Sequence, residues 1–124
     1  MIHLDTHVVL WLCQGRLERL SAAAVRVLER EERQVSPIVL LEFEYLFERG
    51  RLPAPPDAML AGLTEALGVE VSEAHLADVV EAARPLSWTR DPFDRLIVAN
   101  AMADGASLVT ADEAIRQHCR FAVW

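Results

Sequence analysis

Two aspartates stand three residues apart in the stretch 87–101, which reads SWTRDPFDRLIVANA. Asp91 precedes a proline, and because proline favours the first position of a helix, Asp91 is the predicted N-cap. Asp94 falls in the first helical turn, where the helix dipole favours an acid, yet it shares a face with Ile97 and Val98. An acid placed only for the dipole would more often face solvent. Asp94 is therefore a candidate functional carboxylate.

A second inward carboxylate is predicted on the helix that follows Pro37. The residues three and four positions from Glu42 are all apolar or aromatic: Ile38, Val39, Tyr45 and Leu46. A carboxylate on a buried stripe needs a partner, a raised pKa or a metal ion. A core glutamate bridged to an arginine is the structural alternative. Glu44 has Glu48 as a helical neighbour, so we expect it on the solvated face.

Two more acids follow predicted strands. Asp5 ends the predicted strand 2–5, and Asp112 falls two residues past the strand predicted for SLVT. Each is also explained as the cap of the helix that follows it. In parallel sheets, however, sites form at the carboxyl ends of the strands, so both acids are expected at one edge.

These four acids together indicate a metal site: Asp5, Glu42, Asp94 and Asp112. Converging carboxylates supply the hard oxygen ligands that Mg²⁺ and Mn²⁺ prefer. Without a metal ion the clustered anions would repel one another, and at least one would stay protonated.

The elements that position these acids alternate between short apolar strands and helices. Strands are predicted at 2–5, QVSP, GVEV, SLVT and RFAVW. Seven helices are predicted. In chain order they are THVVLWLCQG, a helix capped by Ser21, IVLLEFEYLFERG, 58–67 capped by Asp57, a helix from a Ser72 cap to Pro85, 92–104, and DEAIRQHC. This order predicts an α/β/α sandwich of three layers with a mainly parallel central sheet.

Length and composition suit one globular domain. The chain has 124 residues, of which 52% are hydrophobic and 25% charged. It shows no membrane-length apolar run and no secretory signal, so we expect a cytoplasmic protein. Cys13 and Cys119 stand alone, which indicates reduced thiols and argues against zinc.

The charge balance restricts the partners. The net charge is −7, and every basic side chain except histidine is an arginine. This argues against a protein that coats nucleic acid by bulk attraction. It agrees with a small acidic metal site that meets a phosphodiester through cations, and with a basic protein partner.

Four segments resemble, in order, the acidic motifs of PIN-domain nucleases: MIHLDTHVVLW, VSPIVLLEFEYL, RDPFDRLIVANA and ASLVTAD. In particular they look like VapC-type toxins of VapBC toxin–antitoxin pairs, over nearly the whole chain. The resemblance implies one PIN-like domain over 1–124 and divalent-metal-dependent hydrolysis of RNA phosphodiester bonds, leaving 5′-phosphate and 3′-hydroxyl ends. It also implies a homodimer and a cognate VapB-type antitoxin in a type II system.

The family's catalytic and metal-binding acids map onto the four acids given above, so the resemblance implies that these four hold Mg²⁺ or Mn²⁺. Asp91 matches the family's capping acid. Thr6 and Thr110 lie beside acidic positions and are expected to hydrogen-bond them. Arg90 and Arg95 are candidates for phosphate contacts, with pairing to nearby acids as the alternative. Relatives often carry histidines at the positions of Trp88 and Thr89, but this departure removes no expected ligand.

Two other functions are alternatives to the ribonuclease. A haloacid-dehalogenase-like phosphatase with Asp5 as nucleophile needs a second acid where His7 stands, and a lysine that the chain lacks. A degenerate PIN-like domain that binds without cleaving remains the main alternative. For a toxin, we expect the antitoxin to contact the exposed helices around 22–60 and to place a basic residue in the acidic pocket.

Overall fold

The chain forms a five-stranded parallel sheet with the first strand at its centre, and the computed structural model describes residues 1–124. The strand order is β3-β2-β1-β4-β5, and all four pairings are parallel. The strands are β1 (Ile2–Leu4), β2 (Arg33–Val35), β3 (Val69–Val71), β4 (Ser107–Val109) and β5 (Ala122–Val123). The helices are α1 (Thr6–Cys13), α2 (Ala22–Arg30), α3 (Pro37–Glu48), α4 (Pro56–Leu67), α5 (Leu76–Ala83), α6 (Pro92–Ala103) and α7 (Glu113–His118). The predicted α/β fold is confirmed.

Both faces of the sheet are covered. Successive side chains of a strand point to opposite faces, and all three residues of β1 are buried. His3 reaches Asp104 at the end of α6, so α6 covers that face, and α5 packs on α6. Because the central strand is buried on both sides, only the residues that follow its carboxyl end, at the edge of the sheet, can reach solvent.

Helix α6 begins and packs as its sequence predicts. Asp91 is the N-cap, and its Oδ1 accepts hydrogen bonds from the backbone N–H groups of Phe93 at 2.9 Å and Asp94 at 3.3 Å. The positions three, four and seven after Asp94 are fully buried: Ile97, Val98 and Ala101. The helix ends at Ala103, one residue earlier than predicted.

Three local predictions are wrong. Strand β1 ends at Leu4, because Asp5 is the N-cap of α1, although its N–H still donates to the Val109 carbonyl of β4. Helix α4 starts at Pro56, where the missing N–H of proline costs nothing, so Asp57 lies in the first turn and does not cap it. Helix α5 starts at Leu76, because the Ser72 hydroxyl is used in a buried hydrogen bond to Asp104.

Two general features complete the fold. The longest helices have 12 residues, too few to cross a bilayer. Cys13 and Cys119 are both free thiols, as their spacing predicts, and burial raises the pKa of each.

Candidate functional site

Two of the predicted acids meet at the carboxyl edge of the sheet because β1 and β4 are neighbours. The Asp5 side chain is buried, and its Oδ1 accepts the Thr6 N–H at 2.8 Å. Thr110 Oγ1 donates to Asp5 Oδ2 at 2.6 Å and itself accepts the Asp112 N–H at 3.1 Å. One threonine hydroxyl therefore links the acids after the two strands, and Asp112 also caps α7, as predicted.

Glu42 joins this group through the first turn of α1. Thr6 Oγ1 donates to Glu42 Oε1 at 2.7 Å, so the partner is a threonine and the predicted alternative of an arginine bridge is wrong. The buried positions of α3 are Val39 and Phe43, which leaves Glu42 half-buried at the border of the buried stripe. It faces α1 at this border. Both threonines hydrogen-bond acids of the predicted set, as expected, but the Thr6 hydroxyl donates to Glu42 and not to the adjacent Asp5.

Asp94 lies at the head of α6 and faces the other carboxylates without a hydrogen bond to its own side chain. Burial raises the pKa of Asp94 to about 7, and the negative charges of four other acids add to this shift. Those acids are Asp91, Asp5, Asp112 and Glu42. Their combined effect on one carboxyl group indicates that they surround a common space, which we call the acidic pocket.

The pKa values of two further acids in the acidic pocket are raised. Burial raises the pKa of Asp5 most, and the hydrogen bonds from Thr110 and Thr6 oppose it. Burial also raises the pKa of Glu42, against the hydrogen bond from Thr6. The two threonines thus offset only part of the cost of placing these carboxylates together.

The donor set fits a hard divalent cation, since it consists of carboxylate oxygens that repel one another. The side chains as placed do not form a closed ligand shell: no three His, Cys, Asp or Glu groups stand close enough to hold an ion. Asp94 has both carboxylate oxygens free of hydrogen bonds from the protein. Binding an ion would therefore require the carboxylates to turn toward the centre of the pocket.

Of the two arginines beside the acids, Arg95 does not match the expected phosphate contact or acid pairing. Arg95 donates from Nε to the Ala83 carbonyl at 2.8 Å and from Nη2 to the Arg84 carbonyl at 2.7 Å. Its guanidinium thus fastens α6 to the end of α5. Arg90 is exposed and forms no ion pair.

His7 belongs to the surroundings of the pocket, which the sequence did not indicate. It is exposed, and a positive charge on its ring would lower the pKa values of Asp5 and Glu42. A single histidine without ligand spacing gives no sign of this. The one usable signal was its position two residues after Asp5, in the first turn of the helix that Asp5 caps.

The parallel sheet and the carboxylates at its edge define a PIN-like α/β domain. The PIN domain family profile matches residues 2–120, so the chain belongs to this family. It is 37% identical over 121 residues to ribonuclease VapC22 of Mycobacterium tuberculosis, a match that covers 93% of this chain and 89% of that protein. Family membership removes the phosphatase alternative.

Solved structures agree on the fold. A toxin–antitoxin complex from Klebsiella pneumoniae superposes with a TM-score of 0.72 at 18% identity, covering 100% of this chain and 97% of that chain. VapBC2 from Rickettsia felis, bound to a DNA fragment from its promoter, gives 0.62 at 20% identity, with coverage of 94% and 92%. At these identities the likeness establishes the fold alone.

Proposed function

We propose that the chain is a cytoplasmic, divalent-metal-dependent endoribonuclease and the toxin of a type II toxin–antitoxin pair. The observation that carries this proposal is the acidic pocket, in which four elements bring carboxylates to one sheet edge and Asp94 has no partner from the protein. The identity to a relative named as a ribonuclease supports RNA as the substrate.

The chain's own residues have distinct tasks in this proposal. Asp5 and Asp94 would be the main ligands of a Mg²⁺ or Mn²⁺ ion, and Glu42 and Asp112 would complete its shell directly or through water. When bound, such an ion polarises a phosphoryl oxygen and lowers the pKa of a bound water. The hydroxyl of Thr110 holds Asp5 and the chain before α7 in place.

Electrostatics explains why the pocket favours a cation and how a phosphate could approach it. Four acids without a counter-ion repel one another, so an ion with two positive charges relieves the repulsion. The metal-bound pocket then no longer repels the RNA backbone as strongly. Arg90, which is exposed beside the Asp91 cap, would contact a phosphate with its planar fork.

The decisive experiment compares RNA cleavage by wild type and Asp94→Asn with Mn²⁺, with Mg²⁺ and with EDTA. We expect metal-dependent cleavage by the wild type, and a rate at least about a hundredfold lower for the variant, since even indirect supports of metal sites are worth 10- to 100-fold. Asp78→Asn is the matched control, because it removes the same charge from an exposed position on α5.

Two outcomes would count against the nuclease. Cleavage that survives EDTA, or that is equal in wild type and Asp94→Asn, would come from a contaminating enzyme and would remove the support for Asp94. An inactive wild type, free of antitoxin and loaded with metal, would favour the non-catalytic binding module. Circular dichroism of both proteins shows whether each is folded.

The antitoxin would bind an apolar surface on the far side of α1 from the acidic pocket. A groove of about 540 Å³ is lined largely by apolar residues of α1 and α4, among them Leu12 and Met59. A second groove of about 260 Å³ runs from Leu12 to α2. Leu17 lines both and is 60% exposed. This surface overlaps the expected range 22–60 and extends it to α1.

Co-purification of the chain with its cognate antitoxin tests this surface. We expect Leu17→Asp to lose the complex, because an aspartate at the junction of the two grooves must be desolvated on binding. Met102→Asp is the control, since Met102 is an exposed apolar residue on α6 that lines neither groove. Equal loss in both variants, or in neither, would contradict this contact.

A homodimer would join two chains into one RNA-binding groove. Each subunit carries a net charge of −7 and offers little basic surface of its own. Exposed apolar pairs four residues apart on α5, Leu76 with Val80, and on α3, Leu41 with Tyr45, are available for a subunit contact. Light scattering of the free toxin gives the subunit number directly.

A further inference from the structure

A groove beside the acidic pocket, separate from the two grooves proposed for the antitoxin, combines an aromatic ring with an arginine that forms no ion pair. It has a volume of about 510 Å³ and lies between α7 and the edge strand β5. Arg116 and Gln117 line it from α7, and Trp124 lines it from the residue after β5. Glu113 stands at the same wall, next to Asp112 of the acidic pocket.

The sheet register places this groove close to the reacting centre. The Asp5 N–H donates to the Val109 carbonyl at 3.1 Å, and the Thr110 N–H donates to the Val123 carbonyl at 3.2 Å. Trp124 therefore follows β5 at the level at which Asp5 follows β1. Two strand spacings separate their backbones by about 10 Å, a distance of one or two nucleotides.

The Trp124 indole is held in place by other rings. Its centroid lies 5.9 Å from that of Trp11, and the Trp11 centroid lies 6.0 Å from that of His7 beside Asp5. Trp124 remains partly exposed, since it lines the groove as well as packing on the core. A ring fixed on one side and open on the other can stack a base at little cost in conformational freedom.

The groove has a negative end and a positive end. Glu113 lies at the end next to the acidic pocket, and Arg116 lies one helical turn further along α7. The Arg116 guanidinium is exposed and takes part in no ion pair. A phosphate would therefore be attracted to the Arg116 end of the groove and not to the acidic end.

We propose that this groove binds the nucleotide next to the scissile phosphate of a single-stranded RNA, with the base on Trp124 and a phosphate on Arg116. The proposal rests on the proposed ribonuclease function and deepens it. An indole stacks any base, so the groove favours unpaired RNA without selecting a sequence. A base-paired nucleotide would not present its face to the ring.

The test measures RNA binding apart from cleavage. In the Asp94→Asn background without added metal, fluorescence anisotropy at low salt follows the binding of a fluorescein-labelled single-stranded RNA dodecamer of mixed sequence, so that only the groove residues differ between variants. We expect Arg116→Gln and Trp124→Leu each to weaken binding roughly tenfold. Arg116→Gln should also lower the slope of log affinity against log salt by about 0.7, the loss of one phosphate contact.

Arg120→Gln is the matched control. Arg120 is exposed in the turn before β5, at the opposite end of that strand from Trp124, and its removal changes the net charge equally. We expect its affinity and salt slope to equal those of the parent. Thermal melts identify any loss of binding by Trp124→Leu that comes from unfolding, and Arg116→Gln tests the groove without touching the core.

The outcomes separate this proposal from the function it rests on. Equal affinities for Arg116→Gln, Arg120→Gln and the parent would overturn the groove, as would a parent that does not bind the dodecamer at low salt. Cleavage by the wild type is measured in the same buffer with Mn²⁺ added. If it persists while the groove variants bind normally, the ribonuclease stands and only the groove is wrong.

Discussion

Two polar clusters flank the first strand, and they treat their carboxylates in opposite ways. Asp104, just after α6, lies 2.7 Å from His3 Nε2 and accepts hydrogen bonds from Ser72 at 2.6 Å and Asn100 at 3.2 Å. Asp94, at the head of the same helix, accepts none and faces four other acids. We call the first cluster the Asp104 network.

The difference separates a structural cluster from a binding site. In the Asp104 network three partners surround one carboxylate, so its hydrogen-bonding capacity is met within the protein. In the acidic pocket the hydroxyls of Thr6 and Thr110 donate to Glu42 and Asp5. The carboxylate oxygens that have no donor are left for a group from outside the protein. Among buried and half-buried carboxylates, those that the fold leaves unsatisfied therefore mark the site.

The largest effect on stability is expected from a substitution that breaks the Asp104 network. Asp104→Ala removes the acceptor shared by His3, Ser72 and Asn100, of which only Asn100 keeps another acceptor, the Ser72 hydroxyl. We expect it to lower the free energy of unfolding by about 3 kcal/mol. Asp94→Ala, which removes a repelled charge, should leave the free energy of unfolding of the metal-free protein unchanged or raise it. Urea denaturation of both variants checks the pair, and equal destabilisation by the two would contradict the comparison.

The next effect concerns the acidic pocket of the metal-free protein. The folded pKa of Asp94 is about 7, above its ordinary 3.8, so the folded chain holds this proton more tightly than the unfolded chain. The resulting stability is complete below about pH 4 and is lost as the pH rises through 7. Relative to Asp94→Asn, wild type should lose about 1–2 kcal/mol between these limits, allowing for the half-exposed side chain.

Thermal melts of both proteins from pH 4 to pH 8 in EDTA measure this difference. Adding Mn²⁺ at pH 8 should raise the melting temperature of wild type and leave that of Asp94→Asn nearly unchanged. A constant difference between the two proteins across the pH range would show that Asp94 does not titrate in this interval.

The smallest effect comes from His3 in the Asp104 network. Burial lowers the pKa of His3 below 6.5, although the Asp104 carboxylate opposes this shift, and the buried Nδ1 atom has no hydrogen-bond partner. The stability due to neutral His3 is therefore present above pH 6.5 and is lost as the pH falls below it. His3→Gln should reduce the loss of unfolding free energy between pH 7 and pH 5, and an unchanged loss would exclude His3 as its cause.

Much of the acidic pocket could be predicted from the sequence because each acid follows a local rule. Asp5 and Asp112 come after apolar strands, and Asp94 shares a face with residues that are buried. The parallel order of the strands then fixes the common edge. That the four acids hold a metal ion stays a prediction, which the cleavage experiment tests.

The Asp104 network could not be predicted, because it depends on contacts that sequence spacing does not encode. Ser72 reads as a helix cap but lies opposite Asp104, 32 residues away. The partner of Glu42 is equally distant, since Thr6 precedes it by 36 residues. For Arg95 the spacing suggested a phosphate contact, but the packing of α5 on α6 supplied the carbonyls instead.

The position of the first strand has a consequence for biosynthesis. The hydrogen bond that joins Thr110 to Asp5 spans 105 residues of the chain, and β1 cannot acquire its second neighbour before β4 has been made. Contacts of such long sequence separation form late and slowly. A ribosome-bound chain that stops before β4 therefore carries no assembled acidic pocket. For a ribonuclease made beside the RNAs of the translation machinery, this order postpones activity until β4 has been made and has paired with β1.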